Sequence, residues 1–469
     1  MKKIFSLALA LVLLLSLAAC GAPAATPTPA APTASTAPAE PELTGLDLIA
    51  KQLLEDRTPV SISFWTGTGE ANLPYLQTIV DNFQVAYPNI TVDFSNQGPV
   101  TELTDKLTQN IVSKTTPTLS NINPTSFAAY IESGAIVDLT PYFEHEALGF
   151  TAAEKAALFP SYLEASASYG PGGTMYGFPT NKKTTDVFVY NLTYFDSKGW
   201  TAPTTWEQVA EYSKIIFEET GNAGFSYDTS TGDAAFKTLS RQWGSPYVTT
   251  DGQVDIDNDA SRAVLRFYKE NMDAGYFTLP ALMPSAGGNH SSNGFVMGEC
   301  YMFVGPAAGV PYAAPNPANG HKDFQLAIAP LPQRSAANQV AFSKGEDYCI
   351  FSNASEEERA AAWLLVKFLT DDAQNVEWLA ATGNLPVSEG ILSVADYKAF
   401  LEMEPAASPA YYKSQAVNAA LAMTDYMSYD RIIPQTGALT TEVAALWQAV
   451  LIGGADIDAA LADAVAKIG

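Results

Sequence analysis

The segment 60–94 constrains the fold most. Val60-Ser61-Ile62-Ser63-Phe64-Trp65 alternates in the period of a half-buried strand. Thr66-Gly67-Thr68-Gly69-Glu70 reads as a loop. Asn72 can then cap a helix whose apolar residues Leu73, Leu76, Val80 and Phe83 share one face at three-to-four spacing. Tyr87-Pro88-Asn89 stops that helix, and Ile90, Val92 and Phe94 alternate as a second strand. A strand, a helix and a strand within one short stretch form a βαβ unit, so a parallel sheet is expected.

The same grammar recurs downstream. Val187-Phe188-Val189-Tyr190 is a strand. Thr204-Thr205-Trp206-Glu207 reads as a capping box, with the Thr204 hydroxyl and Glu207 carboxylate satisfying orphan amides reciprocally. Val254–Asp257 reads as a short strand, with Asp257 or Asn258 capping the helix that follows. Ser355-Glu356-Glu357-Glu358 is a second capping box, opening a helix with Ala361, Leu364, Leu365 and Phe368. A further helix runs to about Ala381 with Gly383 as its C-terminal cap, and the last helices are 440–450 and 458–468. The fold class is α/β, with helices outnumbering strands.

The N-terminus points to the compartment. Lys2 and Lys3 precede an apolar run, Ile4 to Ala19, that is shorter than the about 20 residues of a membrane span and reads as a secretory signal. It ends Leu17-Ala18-Ala19-Cys20, which resembles the lipobox of bacterial lipoproteins. Cleavage before Cys20 would leave its thiol to carry lipid, and two or more acyl chains anchor a protein durably. Gly21 to Leu43 is dominated by Ala, Pro and Thr and has no Lys or Arg, the composition of an extended tether. Residues 1–19 are thus read as the signal and 20–57 as the lipidated Cys20 with its tether, the folded body beginning near Thr58.

Charge and motifs exclude several functions. Lys plus Arg number 25 against 50 for Asp plus Glu, a net charge of −25, which disfavours nucleic acid and anionic membrane surfaces. There is no Gly-Lys dipeptide and hence no P-loop. His145-Glu146-Ala147-Leu148-Gly149 lacks the second histidine of a zinc protease, and His145, His290 and His321 lack metal-ligand spacing; they read as surface residues. Gly224-Phe225-Ser226-Tyr227-Asp228 lacks the closing glycine of a nucleophile elbow. Asp255, Asp257 and Asp259 form no calcium loop, because Ala260 replaces the glycine such a loop needs. No cofactor or metal is expected. Cys300 and Cys349 either pair or stay buried as free thiols.

The order of segments resembles the family 1 extracellular solute-binding proteins, the receptors of ATP-driven sugar importers. The resemblance rests on Phe64-Trp65 with its capped helix and Tyr87-Pro88-Asn89-Ile90, then Tyr130 to Thr140 and Tyr176-Gly177-Phe178-Pro179. It continues through Tyr190-Asn191, Pro203 to Glu207, Phe295 to Glu299, Ala329-Pro330-Leu331-Pro332 and Thr382 to Val387. The resemblance implies a two-lobed periplasmic-binding-protein-like fold of type II, with three hinge crossings and the ligand between the lobes. Carried onto this chain, one lobe is 58–182 plus 306–344 and the other 185–304 plus 346–469. The crossings fall near Asn181–Thr184, Val304–Pro306 and Gly345–Glu346, where Gly305 and Gly345 allow unusual backbone angles.

Candidate ligand contacts follow by position. Thr68 and Glu70 lie in the loop before a helix, where Glu70 either meets ligand or complements the helix dipole. Asn123 either meets ligand or caps a turn. Asn181 and Thr184 lie on the first crossing, Gly305 on the second, and Glu346 and Asp347 on the third, where their carboxylates can accept from sugar hydroxyls. Trp243 is either a stacking platform for a sugar's C–H face or part of the core. Arg431 is either a bidentate clamp or the partner of Asp430 or Asp425. The resulting expectation is a monomeric lipid-anchored receptor that captures a carbohydrate and delivers it to a membrane permease. Its alternatives are a binder of glycerol phosphate or another small anion, a secreted carbohydrate-active enzyme, and a surface scaffold.

Overall fold

Val60–Thr66 (β1) and Ile90–Asn96 (β2) pair in parallel from Val60 opposite Ile90 to Thr66 opposite Asn96, with helix Leu73–Ala86 between them. The structure is a computed structural model and describes residues 45–228, 232–288 and 290–469. The alternation of 60–66 works as its pattern requires: Ile62, Phe64 and Thr66 are buried and Ser61 is exposed. Leu76, Ile79, Val80 and Phe83 form the buried face of the connecting helix.

The remaining strands are Leu119–Ile122 (β3), Phe178–Pro179 (β4), Asp186–Asn191 (β5), Ala223–Tyr227 (β6), Tyr247–Val248 (β7), Val254–Asp255 (β8) and Phe277–Thr278 (β9). Cys300–Pro306 (β10), Leu326–Ala329 (β11), Ala341–Phe342 (β12), Asp347–Ile350 (β13) and Met427–Ser428 (β14) complete them. One five-stranded sheet has the order β2-β1-β3-β13-β4 and the other β11-β5-β10-β6-β9; β12 pairs with β14 and β7 with β8. Both large sheets are mixed, since β13 runs antiparallel to β3 and β5 antiparallel to β10. The result is a two-lobed α/β fold with one sheet in each lobe. Phe143, Phe150, Phe178 and Trp363 interlock in the first lobe with ring centroids 5.2–6.4 Å apart. Each such side chain contributes about 1.5–3 kcal/mol by leaving water.

The lobe assignment drawn from the sequence needs three corrections. Gly305 and Pro306 do not leave the second sheet: they pair with Val187 and Asp186, and the chain stays in that sheet through β11. Strand β13, expected in the second lobe, lies in the first sheet between β3 and β4. Helices Glu356–Leu369 and Asp372–Thr382 then pack on β1 and Leu73–Ala86, so 346–382 extends the first lobe. The chain returns to the second lobe further on, where Pro409–Leu421 packs on β11 and Thr436–Leu451 on Asp233–Gln242.

The tether also ends earlier than expected. Gly45–Leu54 is a helix that buries Ile49, Ala50 and Leu53 and packs against Glu356–Leu369. Leu46, Ile49, Ala50 and Leu53 recur at helical spacing, so apolar burial rather than composition sets the start of the body. The signal, Cys20 and the Pro-rich stretch to Leu43 lie outside the described residues.

The local caps follow the sequence closely. Ser355 and Glu358 form the expected capping box, and Gly383 takes φ 72° after Thr382. The other box is shifted by one residue, Thr205 with Gln208, because Thr205 is the residue in extended backbone at the helix start. Asn258 caps Asp259–Asp273. Cys300 and Cys349 are buried free thiols.

Candidate ligand site at the crossings

Two connections between the sheets lie side by side. Residues 180–185 carry the chain from β4 to β5, and 343–346 carry it back to β13. They are joined where the Thr184 N–H donates to Lys344 O (3.0 Å) and the Lys344 N–H to Thr184 O (2.8 Å). Gly345 makes this approach possible. Its φ is +119°, and a Cβ there would stand 2.5 Å from Lys182 O. Only glycine takes that backbone without strain and leaves that space empty.

Three lysines on these connections meet three carboxylates. Lys182 Nζ lies 3.1 Å from Glu346 Oε2 and donates to Gly67 O at 2.6 Å; Asn121 Nδ2 donates to the same Glu346 oxygen at 2.9 Å. Lys183 Nζ donates to Asp347 Oδ1 at 2.5 Å, and Ser166 Oγ donates to Asp347 Oδ2 at 3.1 Å. Lys344 Nζ reaches both oxygens of Asp186, at 2.6 and 2.8 Å, and the Tyr227 hydroxyl donates to Asp186 Oδ2 at 3.2 Å. Burial first, then the nearby Asp186 charge, pushes the Tyr227 hydroxyl up; burial and Asp347 do the same to Tyr169.

Asp228 differs from these three. It follows β6 and is 8% exposed. Its Oδ1 accepts from the Ser291 N–H at 2.5 Å and faces the exposed His290, whose Nδ1 is 3.8 Å away. Burial raises its carboxyl to about 6, against the pull of the Ser291 N–H and His290. The folded chain therefore holds a proton there that the unfolded chain, near the ordinary 3.8, has given up. Stability from this group is complete below that lower value and is lost as pH rises toward 6. Asp228→Asn should accordingly flatten the fall in stability between pH 4 and pH 7 by about 2 kcal/mol at 1.36 kcal/mol per pKa unit. Urea melts of both chains across that range check this, and identical pH profiles would contradict it. Asp372, also raised to about 6 by burial, acts in the same window in both chains and cancels from the comparison.

The residues singled out in the sequence divide into groups. Glu346 and Thr184 lie on the connections; Thr184 Oγ1 is buried and has no hydrogen-bond partner among the described residues, as is true of Asn121 Oδ1. Thr68 is held beside them: its N–H donates to Asn96 Oδ1 at 3.1 Å, and Asn96 Nδ2 donates to Thr68 O at 2.9 Å. Glu70 is exposed in the same loop.

Asn181 and Asp347 are not placed to face a ligand. Asp347 is fully buried, with both oxygens engaged as above. Asn181 is buried, donating to Asn375 Oδ1 at 2.8 Å and accepting from the Tyr348 hydroxyl at 3.1 Å and from Trp378 Nε1 at its carbonyl, 2.6 Å. Both brace the first connection against the lobe. Asn123 caps Pro124–Ser126, its Oδ1 accepting from the Thr125 N–H and hydroxyl. Gly305 sits inside β10, where a Cβ would meet Asp228 Oδ2 at 3.1 Å, so it makes room for that carboxylate rather than for a hinge.

Trp243 and Arg431 stand with other groups. The Trp243 ring lies against Phe267, and the Arg334 guanidinium is 5.1 Å from its centroid. Arg431 lines a hollow with Asp233, Lys237, Arg241 and Asp430, and Asp430 pairs with Lys237. Asp186, Asp228, His290 and Lys344, which the sequence did not mark as ligand contacts, lie near one another at strand ends where β5 and β6 flank β10.

The assembled site is a set of satisfied ion pairs and one protonatable carboxyl at strand ends, between two sheets. Ligands of open α/β sheets bind in such a position, outside the strand ends. Among the described residues no group of His, Cys, Asp and Glu has the makings of a metal site, and no helix is long and apolar enough to cross a membrane.

Comparison with known proteins agrees with this architecture. The cyclic α-maltosyl-1,6-maltose binding protein from Arthrobacter globiformis is 19% identical, with a TM-score of 0.72 over 87% of this chain and 98% of that one. The sugar-binding protein MalE from Xanthomonas citri is 16% identical, also at 0.72, over 87% and 96%. UgpB from Mycobacterium tuberculosis, in complex with glycerophosphocholine, is 17% identical, at 0.69 over 87% and 97%. No curated protein matches the chain in sequence. Residues 78–406 match the family model described as bacterial extracellular solute-binding protein. Sequence match, two-lobed fold and paired connections together place the chain among the bacterial extracellular solute-binding proteins.

Proposed function

We propose that the chain captures a neutral carbohydrate between its two lobes and hands it to the membrane permease of an ATP-driven importer, held at the cell surface by lipid on Cys20. Family membership supports the binding role, and structural neighbours named for binding sugars favour the cargo class. The observation that carries the choice of a neutral cargo is the pairing of the crossing lysines. Lys182, Lys183 and Lys344 are each matched by a carboxylate, so none is left to hold a phosphate. Hydroxyl-bearing ligands suit the groups that remain, namely Asp228, His290, Glu70 and the unpartnered Thr184 Oγ1.

Thermal melting with a panel of mono- and oligosaccharides beside glycerophosphocholine tests this reading. A ligand that binds only the folded chain adds RT ln(1 + [L]/Kd), about 2.7 kcal/mol at a hundredfold excess over Kd. A saturable rise with one neutral sugar, recovered unchanged, is the expected result. A rise with the phosphodiester alone would overturn the neutral cargo, and turnover of the sugar would overturn the receptor role.

A further inference from the structure

A hollow lies away from the crossings, at the β11 edge of the second lobe's sheet. Two hollows of about 820 and 420 Å³ share Gln325, Ala407 and Tyr412 and run together along β11 as one trough. One wall is the connection 311–325, and the other is 405–415 at the start of helix Pro409–Leu421. We propose that this trough is a second carbohydrate site, for a chain of neutral sugar residues, separate from the site between the lobes.

The walls are rigid and preformed. Pro311, Pro315 and Pro317 fix the backbone of the connection. Asn316 Oδ1 accepts from the Ala318 N–H, His321 Nδ1 from the Asn316 N–H and Thr193 Oγ1 from the Gln325 N–H, at 2.9–3.1 Å. A preformed site loses little ordering entropy when it binds.

The lining chemistry selects the occupant. Tyr312 stands 80% exposed on one wall and Tyr411 is half-buried on the other, where the buried Tyr412 lies beside it with ring centroids 5.9 Å apart. An aromatic face suits the C–H face of a pyranose. Asn319, Gln325 and Gln415 line the same hollows and offer both donors and acceptors. Neither hollow contains a Lys or Arg, so phosphate esters, nucleic acids and acidic glycans find no counter-charge. An added peptide strand is disfavoured because Pro409–Leu421 packs on β11 and Tyr412 meets the Leu326 backbone. The trough is open and elongated, which fits a sugar chain better than a single sugar.

Native gel electrophoresis of the full chain through soluble neutral polysaccharides tests the proposal; the acidic chain migrates well in such gels. The gels contain glycogen, barley β-glucan, arabinoxylan or galactomannan. Three chains are compared: the parent, Tyr312→Ala with Tyr411→Ala, and Asp228→Ala as a variant of the site between the lobes. Equal melting temperatures of parent and tyrosine variant confirm that folding is intact. At least one polysaccharide should retard the parent and Asp228→Ala alike, and the tyrosine variant should bind it about tenfold more weakly or not at all. No retardation by any polysaccharide overturns the proposal, as does retardation that the tyrosine variant retains. Import lost in the tyrosine variant with polysaccharide binding intact would assign the trough to permease docking instead. The Asp228→Ala arm separates failure of this site from failure of the interlobe site.

Discussion

Replacing Asp347 by alanine is expected to lower the folding stability by about 3–5 kcal/mol, because it leaves the buried Lys183 ammonium without a counter-charge. Lys183 is 3% and Asp347 0% exposed, so water cannot take over the role of the lost partner. Ser166 would lose its acceptor as well. The consequence should reach beyond local packing, because Lys183 precedes Thr184 on the connection and Asp347 opens β13 on the return. The double variant Lys183→Met with Asp347→Leu should recover most of the loss, since apolar residues of similar volume often replace a buried pair without cost. Urea unfolding of the three chains measures this. An Asp347→Ala chain as stable as the parent would mean that the pair is solvated and does not brace the connection.

Gly345→Ala is the second large effect. The position combines φ +119° with a Cβ that would stand 2.5 Å from Lys182 O. The backbone strain alone costs about 1–3 kcal/mol. The clash adds to it, because the atom in the way is a carbonyl of the neighbouring connection and not the end of a flexible side chain. Lys182 would be pushed from Glu346 and from Gly67 O, and Thr184 from its paired backbone bonds with Lys344. Stability and ligand affinity should therefore fall together, whereas Gly305→Ala, inside β10, should disturb mainly Asp228. Melting temperatures and sugar titrations of both variants check this. An unchanged affinity in Gly345→Ala would detach ligand binding from the geometry of the connections.

Local signals made much of this chain readable. The alternation at 60–65 and 90–94, the helical face of Leu76, Val80 and Phe83, and the Ser355–Glu358 box each depend on residues within a few positions, and the structure contains all of them. Long-range pairing was not readable. Nothing local tells that Asp347–Ile350 enters the first sheet antiparallel to β3, or that Gly305 continues β10 opposite Val187. For that reason the expected lobes exchanged 306–344 and 346–382. The site shows the same division. Of the residues taken by position in the chain, Thr68, Thr184 and Glu346 lie next to strand ends. Position does not mark Asp186, Asp228 and Lys344, whose approach depends on strand order, nor the burial of Asn181 and Asp347, which depends on what packs over them. Trp243 carries the right chemistry for stacking, yet Arg334 and Phe267 occupy its ring.

Capture between the lobes is tested most directly by the distance between spin labels at Thr101→Cys and Leu282→Cys, in a chain beginning at residue 45. Thr101 and Leu282 are exposed, stand outside the proposed site and belong to different lobes, while the two native thiols among the described residues, Cys300 and Cys349, are buried, which pushes their pKa values up and keeps them unreactive. Pulsed dipolar spectroscopy is recorded with and without the neutral sugar that raises the melting temperature. A saturable shortening of the distance, with the same concentration dependence as the thermal shift, is the expected result. A distance that stays fixed while the sugar binds would contradict capture between the lobes and place the sugar elsewhere on the molecule.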